Sequence, residues 1–163
     1  MTQLIEALKH SQTGELTLIF FAAMLPVLEV RFAIPFGIGQ LGLNPWATFA
    51  VSVLGSLVPA PFIIVFIRRI FAWLRTKSAR TERLVSWCER KAAGKQKRVQ
   101  RVTFFALVIF VAIPLPGAGT WMGALVAAML DMRLRRAMPS IALGALLEGL
   151  LMLAITVGFA ALF

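Results

Sequence analysis

The sequence predicts an all-α integral membrane protein, an inverted repeat of a re-entrant helical hairpin followed by a transmembrane helix, with a basic cytoplasmic amphipathic helical linker. Three observations predict it. First, 60% of the 163 residues are hydrophobic and only 15% are charged, against about a quarter charged in a soluble domain. Second, four apolar stretches stand in two pairs on either side of one basic block. Third, the first stretch of each pair is broken by prolines and charges or by a proline–glycine run, whereas the second is long and continuous. The whole chain, 1–163, reads as one membrane domain.

The first segment, residues 16–43, is interrupted by Pro26, Glu29, Arg31 and Pro35, which divide it into Leu16–Leu28 and Phe36–Leu43. A crossing helix needs about 20 apolar residues, so neither piece spans alone. Residues 46–67 meet that length. Asn44-Pro45 is read as the start of this span, Pro59 and Pro61 as kinks in it, and Trp46 and Trp73 as its interfacial anchors. Residues 102–130 are broken again, at Pro114-Leu115-Pro116-Gly117-Ala118-Gly119, into Val102–Ile113 and Trp121–Leu130. Residues 138–163 form the second span. Non-helical backbone at membrane depth survives only beside protein or a watery cavity. Each broken segment is therefore either a crossing helix with an internal break or a hairpin that leaves by the side it entered.

Charge placement favours the hairpins. Residues 68–101 contain twelve Lys or Arg and two acidic residues, Glu82 and Glu89, so this linker alone holds the entire net charge of +10. Such a block beside membrane spans faces the cytoplasm. A full crossing by residues 102–130 would put Arg133, Arg135 and Arg136 outside, and a hairpin returns them. Four simple crossings are the alternative. Ile70, Phe71, Trp73 and Leu74, then Leu84, Val85 and Trp87, alternate with the basic residues as interfacial amphipathic helices do. No fold motif or aromatic platform for nucleic acid accompanies the charge. Two short matches support a repeat: Ala33-Ile34-Pro35 with Ala112-Ile113-Pro114, and the equal step from Gly42 to Gly55 and from Asp131 to Gly144.

Glu29, Arg31 and Glu148 lie within apolar segments, where each charge costs at least about 2.5–3.5 kcal/mol. Ser140, Gly144 and Glu148 share one helix face, on which the small residues let a neighbour approach and shield the carboxylate. Two readings follow. Arg31 pairs with Glu29 or Glu148 and only staples helices, or a desolvated glutamate exchanges a proton, Glu148 being the carrier if Arg31 is committed to Glu29. The second break has two readings as well. The half-helix starting near Thr120 turns a positive dipole end toward Pro114, Pro116, Gly117 and Gly119, which suits a polar or anionic group, or the run is simply a tight turn. Pro35 marks the corresponding break in the first segment. Cys88 has no partner for an intrachain disulfide, His10 reads as a surface residue, and no cofactor, metal site or signal peptide is expected.

The run Leu28-Glu29-Val30-Arg31-Phe32-Ala33-Ile34-Pro35 with Gly42-x-Asn44-Pro45, and the run Pro114 to Trp121 with Gly123-Ala124-Leu125, resemble the two motifs of the small multidrug export protein family. Phe32 departs from that pattern, which has a small residue there. The resemblance spans about residues 15 to 160. That family is similar in architecture to the DedA superfamily, which implies paired opposed hairpins and, for Glu29, Arg31 and the Pro114–Gly119 break, a part in moving a substrate. The resemblance carries no role over to Glu148, which rests on the burial argument alone.

The expected function is a small secondary transporter or exporter of an amphipathic substrate across the bacterial inner membrane, coupled to protons and working as a homodimer or higher homo-oligomer among membrane lipids. The resemblance also allows a flippase of a phosphate-bearing lipid such as undecaprenyl phosphate. A third possibility is a non-transporting scaffold, for which the charged residues would be structural pairs. An enzyme is not expected, because Gly-x-Ser-x-Gly, His-Glu-x-x-His and clustered metal ligands are all missing.

Overall fold

Proline positions set where the helices stop. A residue before proline is driven out of the helical region, and three helix ends fall at such residues: Leu25 before Pro26, Val58 before Pro59 and Ile113 before Pro114. A computed structural model describes residues 12–77, 96–114 and 118–162. They form helices, with no strand among them: α1 (Gln12–Met24), α2 (Glu29–Gly39), α3 (Pro45–Leu57), α4 (Pro59–Lys77), α5 (Gln96–Ala112), α6 (Thr120–Met129) and α7 (Leu134–Leu162).

Two continuous stretches are long and apolar enough to cross a membrane, Pro45–Ile70 (α3 and α4 together) and Leu134–Phe159 within α7. Asn44 starts the first. Its side-chain oxygen accepts from the Trp46 and Ala47 backbone N–H groups at 3.0 and 3.3 Å, and Pro45 occupies a first-turn position where no N–H is required. The second begins at Leu134, four residues before the expected boundary, and carries Pro139 within it.

The first broken segment differs from expectation in one respect. Its break lies at Leu25–Leu28, around Pro26, and α2 runs unbroken through Pro35. Ala33-Ile34-Pro35 therefore continues a helix whereas Ala112-Ile113-Pro114 ends one, so the tripeptide match does not mark equivalent positions. The equal step of the other match joins two similar turns. Gly42 and Asp131 both adopt left-handed backbone, φ 64° and 50°, at the turn into a span. A Cβ on Gly55 would lie 2.5 Å from the Phe20 carbonyl oxygen in α1, and one on Gly144 would lie 2.9 Å from the Val108 carbonyl oxygen in α5. In each half the span presses a glycine onto the backbone of the helix that opens that half.

Packing follows the same division. Ile19, Ala23, Ala33 and Leu43 form a buried cluster with Leu16, Phe36 and Leu41 against it, so the two ends of the first segment share one cluster. Ala60, Ile64, Leu107, Val111, Ala124, Ala127 and Ile141 build the other half. Val30 and Ile34 of α2 meet Leu153 of α7 and join the halves. Outside, Leu54, Phe62, Phe66, Phe105 and Ile109 are exposed, as suits a surface solvated by lipid. Helix α4 carries on through Arg68 to Lys77, so the linker begins as an extension of the span, and Ile70 and Trp73 are exposed on it. His10, Leu84, Val85, Trp87 and Cys88 lie outside the described residues, and the interfacial reading of residues 78–95 falls there.

Candidate functional site

The two breaks meet. Glu29 opens α2 with φ 43°, a left-handed backbone that a side-chain-bearing residue seldom adopts, and its side chain is 2% exposed. One carboxylate oxygen, Oε1, accepts from the Thr120 and Trp121 backbone N–H groups at 2.5 and 3.2 Å. Glu29 thus supplies the cap that α6 lacks locally, because the residue before α6 is Gly119, which has no side chain to offer. The carboxylate also lies where the positive end of the α6 dipole is strongest. In return, the Trp121 indole Nε1–H donates to the Met24 carbonyl at 3.1 Å, at the open C-terminal end of α1. Each break satisfies backbone groups left over by the other, as buried helix ends require.

Arg31 lies two residues further along α2. Its Nη2 donates to the Ala118 carbonyl at 2.6 Å and to Glu29 Oε2 at 3.3 Å. The same nitrogen is 3.3 Å from Glu148 Oε1, so one guanidinium nitrogen stands between two carboxylates. Glu148 projects from α7 and is fully buried, and neither of its oxygens receives a hydrogen bond. With two carboxylates and one guanidinium, the cluster has one formal negative charge in excess. Gly119 makes the cluster possible. Its φ of 110° suits glycine alone, and a Cβ there would be 2.6 Å from Arg31 Nη2 and would strike the Glu29 carboxylate as well.

Glu29, Arg31 and Glu148, remote in sequence, are therefore brought together, with Thr120 and Gly119 beside them. Both structural pairings of Arg31 occur at once. The N-terminus of α6 is taken up by Glu29, so the anion expected at that dipole end is the protein's own carboxylate. Pro114 ends α5, and Pro116 and Gly117 lie outside the described residues. Pro35 is not at the break. It lines a shallow groove of about 430 Å³ on the outer side of α2 with Arg31, Phe32, Phe36 and Gln40. Sequence reasoning missed Trp121, Met24 and Ala118 as partners. The available signal was Trp121, the lone indole directly after the proline–glycine run. It also missed three hydroxyls buried on one face of α3, those of Thr48, Ser52 and Ser56. Thr48 and Ser56 bond back to the Asn44 and Val53 carbonyls, whereas Ser52 Oγ and, at the start of α6, Thr120 Oγ1 are buried without a hydrogen-bond partner.

Two spans and a buried ionisable cluster tying both halves together define a helical membrane protein. The chain belongs to the family described as "Putative small multi-drug export protein", whose model matches residues 29–151. The match takes in every member of the cluster, from Glu29 through Ala118–Trp121 to Glu148. No curated protein and no solved structure matches the chain.

Proposed function

We propose that the protein is a proton-coupled secondary transporter that exports an amphipathic substrate across the bacterial inner membrane. The carrying observation is Arg31 Nη2 standing 3.3 Å from a carboxylate oxygen of both Glu29 and Glu148. One guanidinium neutralises one carboxylate, so a proton arriving on either carboxyl group leaves Arg31 to the other. Glu29 also holds the N-terminus of α6. A shift of Arg31 and a proton between the glutamates thereby changes how tightly the two breaks are clasped, and that links protonation to the opening of a path. Glu148, with no hydrogen-bond donor, is the proton carrier in this scheme.

Opposed re-entrant hairpins complete the reading. Three features support them: the starts of α2 and α6 meet one another, Leu16 and Leu43 share a cluster, and Arg68 Nη2 bonds Asp131 Oδ1 at 2.6 Å. The last contact sets the end of the second broken segment beside the basic end of α4, on the side that carries Arg133, Arg135 and Arg136. With residues 68–101 in the cytoplasm, all these arginines obey the positive-inside rule. Two spans and two short hairpins enclose little volume, so we take the working unit to be a homo-oligomer. The test is substrate flux in proteoliposomes driven by an imposed pH gradient. Wild type transports and Glu148→Gln does not, and unchanged flux in the variant removes the proton-coupling role.

A further inference from the structure

The groove over α2 and the buried cluster share a single residue, Arg31, whose side chain is 20% exposed on the groove side while its Nη2 touches both buried carboxylates. Phe32, Phe36 and Gln40 follow one another at a helical step of four, with Pro35 and Arg31 on the adjacent row, so the groove runs along α2 for about 14 Å at 1.5 Å per residue. The Phe32 and Phe36 rings stack along it, with centroids 5.4 Å apart and planes at 16°. Its shape suits a molecule with a small polar head at Arg31 and an apolar body along the phenyl rings.

The cluster decides the sign of that head. Both Glu29 oxygens are engaged, Oε1 by two backbone N–H groups and Oε2 by Arg31. Neither Glu148 oxygen receives a hydrogen bond. The donors nearby that lack an acceptor, Arg31 Nε and Thr120 Oγ1, do not bond it either, and with two carboxylates to one guanidinium the described cluster is short of positive charge. An anionic head would bring a third negative group against two carboxylates. A protonated amine supplies the missing charge and the missing N–H together, and the aromatic faces beside it attract a cation.

We propose that the groove over Phe32, Pro35, Phe36 and Gln40 receives an amphiphile with a protonated amine head, and that this head replaces Arg31 as the partner of the Glu148 carboxylate. Arg31 then stays on Glu29 and Ala118. This deepens the transport reading, on which it rests, by naming the substrate class.

The test is equilibrium binding to the full-length protein in nanodiscs of zwitterionic lipid, with binding to empty discs subtracted and no pH gradient present. The probes share one tail: dodecylammonium, dodecyltrimethylammonium and dodecyl phosphate. Wild type should bind dodecylammonium at least about tenfold tighter than dodecyl phosphate, a difference of about 1.4 kcal/mol, and measurably tighter than the trimethyl compound, which has no N–H. Glu148→Gln should erase both preferences. Phe36→Ala leaves the charges untouched and should weaken dodecylammonium binding by about threefold to tenfold through lost apolar contact. Tighter binding of dodecyl phosphate, equal affinity for the two cations, or an amine preference that survives Glu148→Gln overturns the proposal. Tighter phosphate binding would leave the transport reading standing with an anionic lipid as cargo. An intact amine preference without gradient-driven flux would support the proposal and sink the transport reading alone.

Discussion

Arg31 is the most constrained residue of the cluster, and its loss has the clearest consequence. Arg31→Ala leaves Glu29 and Glu148 facing each other without the cation between them. Removing one member of a buried ion pair costs about 3–5 kcal/mol, so the variant should unfold at markedly lower temperature in detergent. The double change Arg31→Ala with Glu148→Gln should recover part of that loss, because it leaves one uncompensated carboxylate in place of two. Thermal unfolding of the three proteins checks this, and a double variant no more stable than Arg31→Ala would show that Glu148 does not feel the arginine. Gly119 fails differently: Gly119→Ala places a methyl group against Glu29 and Arg31 and forces a left-handed backbone on alanine, and flux should fall far more than for alanine at the exposed Gly39, where nothing lies within 4 Å. The three charged residues were legible in the sequence because any charge in an apolar run demands a partner. Arg31 was already readable as the partner of Glu29 or Glu148, but the contact of Glu29 with the start of α6 was not legible, since Glu29 and Thr120 are 91 positions apart and nothing local in either break says which dipole end the carboxylate will meet.

At the level of elements, proline chemistry carried most of the information. The stops at Leu25, Val58 and Ile113 each precede a proline, and the Asn44-Pro45 start follows from a side-chain cap and a missing donor. Pro35 shows where that reasoning ends. Proline removes one N–H and crowds the preceding turn, yet α2 passes through it, because Val30 and Ile34 are packed against Leu153 and Ala33 against the α1 cluster. Tertiary burial overrides the local preference, and no local pattern announces that. Close helix approach gives a prediction at this scale. Gly55 and Gly144 each lie against the carbonyl of a neighbouring helix, so Gly55→Val and Gly144→Val must push apart α1 from α3 and α5 from α7. Each overpacked variant should lose about 1–3 kcal/mol, measured as a fall in detergent unfolding temperature. Gly158→Val, with open space around it, should lose far less, and equal losses at all three sites would mean that the glycines do not set the helix spacing.

For the whole molecule, the decisive question is which face of the bilayer receives the end of α6. Asp131 is exposed and Arg68 half-buried, and a solvent-screened ion pair contributes only about 0–1 kcal/mol, so their 2.6 Å contact matters for position rather than stability. It sets residue 131 level with residue 68, at the basic end of the span. If residues 102–130 turn back inside the membrane, position 133 and the linker face the same compartment. If they cross, the two face opposite compartments, and Arg133, Arg135 and Arg136 stand on the side that the positive-inside rule disfavours. Cys88, the one cysteine, is a native reporter for the linker, and Arg133→Cys in a Cys88→Ser background reports the end of α6. An impermeant maleimide added to intact cells should spare both positions, and added to inverted membrane vesicles it should label both. Labelling of position 133 alone in intact cells would make segment 102–130 a crossing helix. The hairpin reading would then fail, and the proposed Arg31 relay would lose the two-sided geometry through which a proton could drive export.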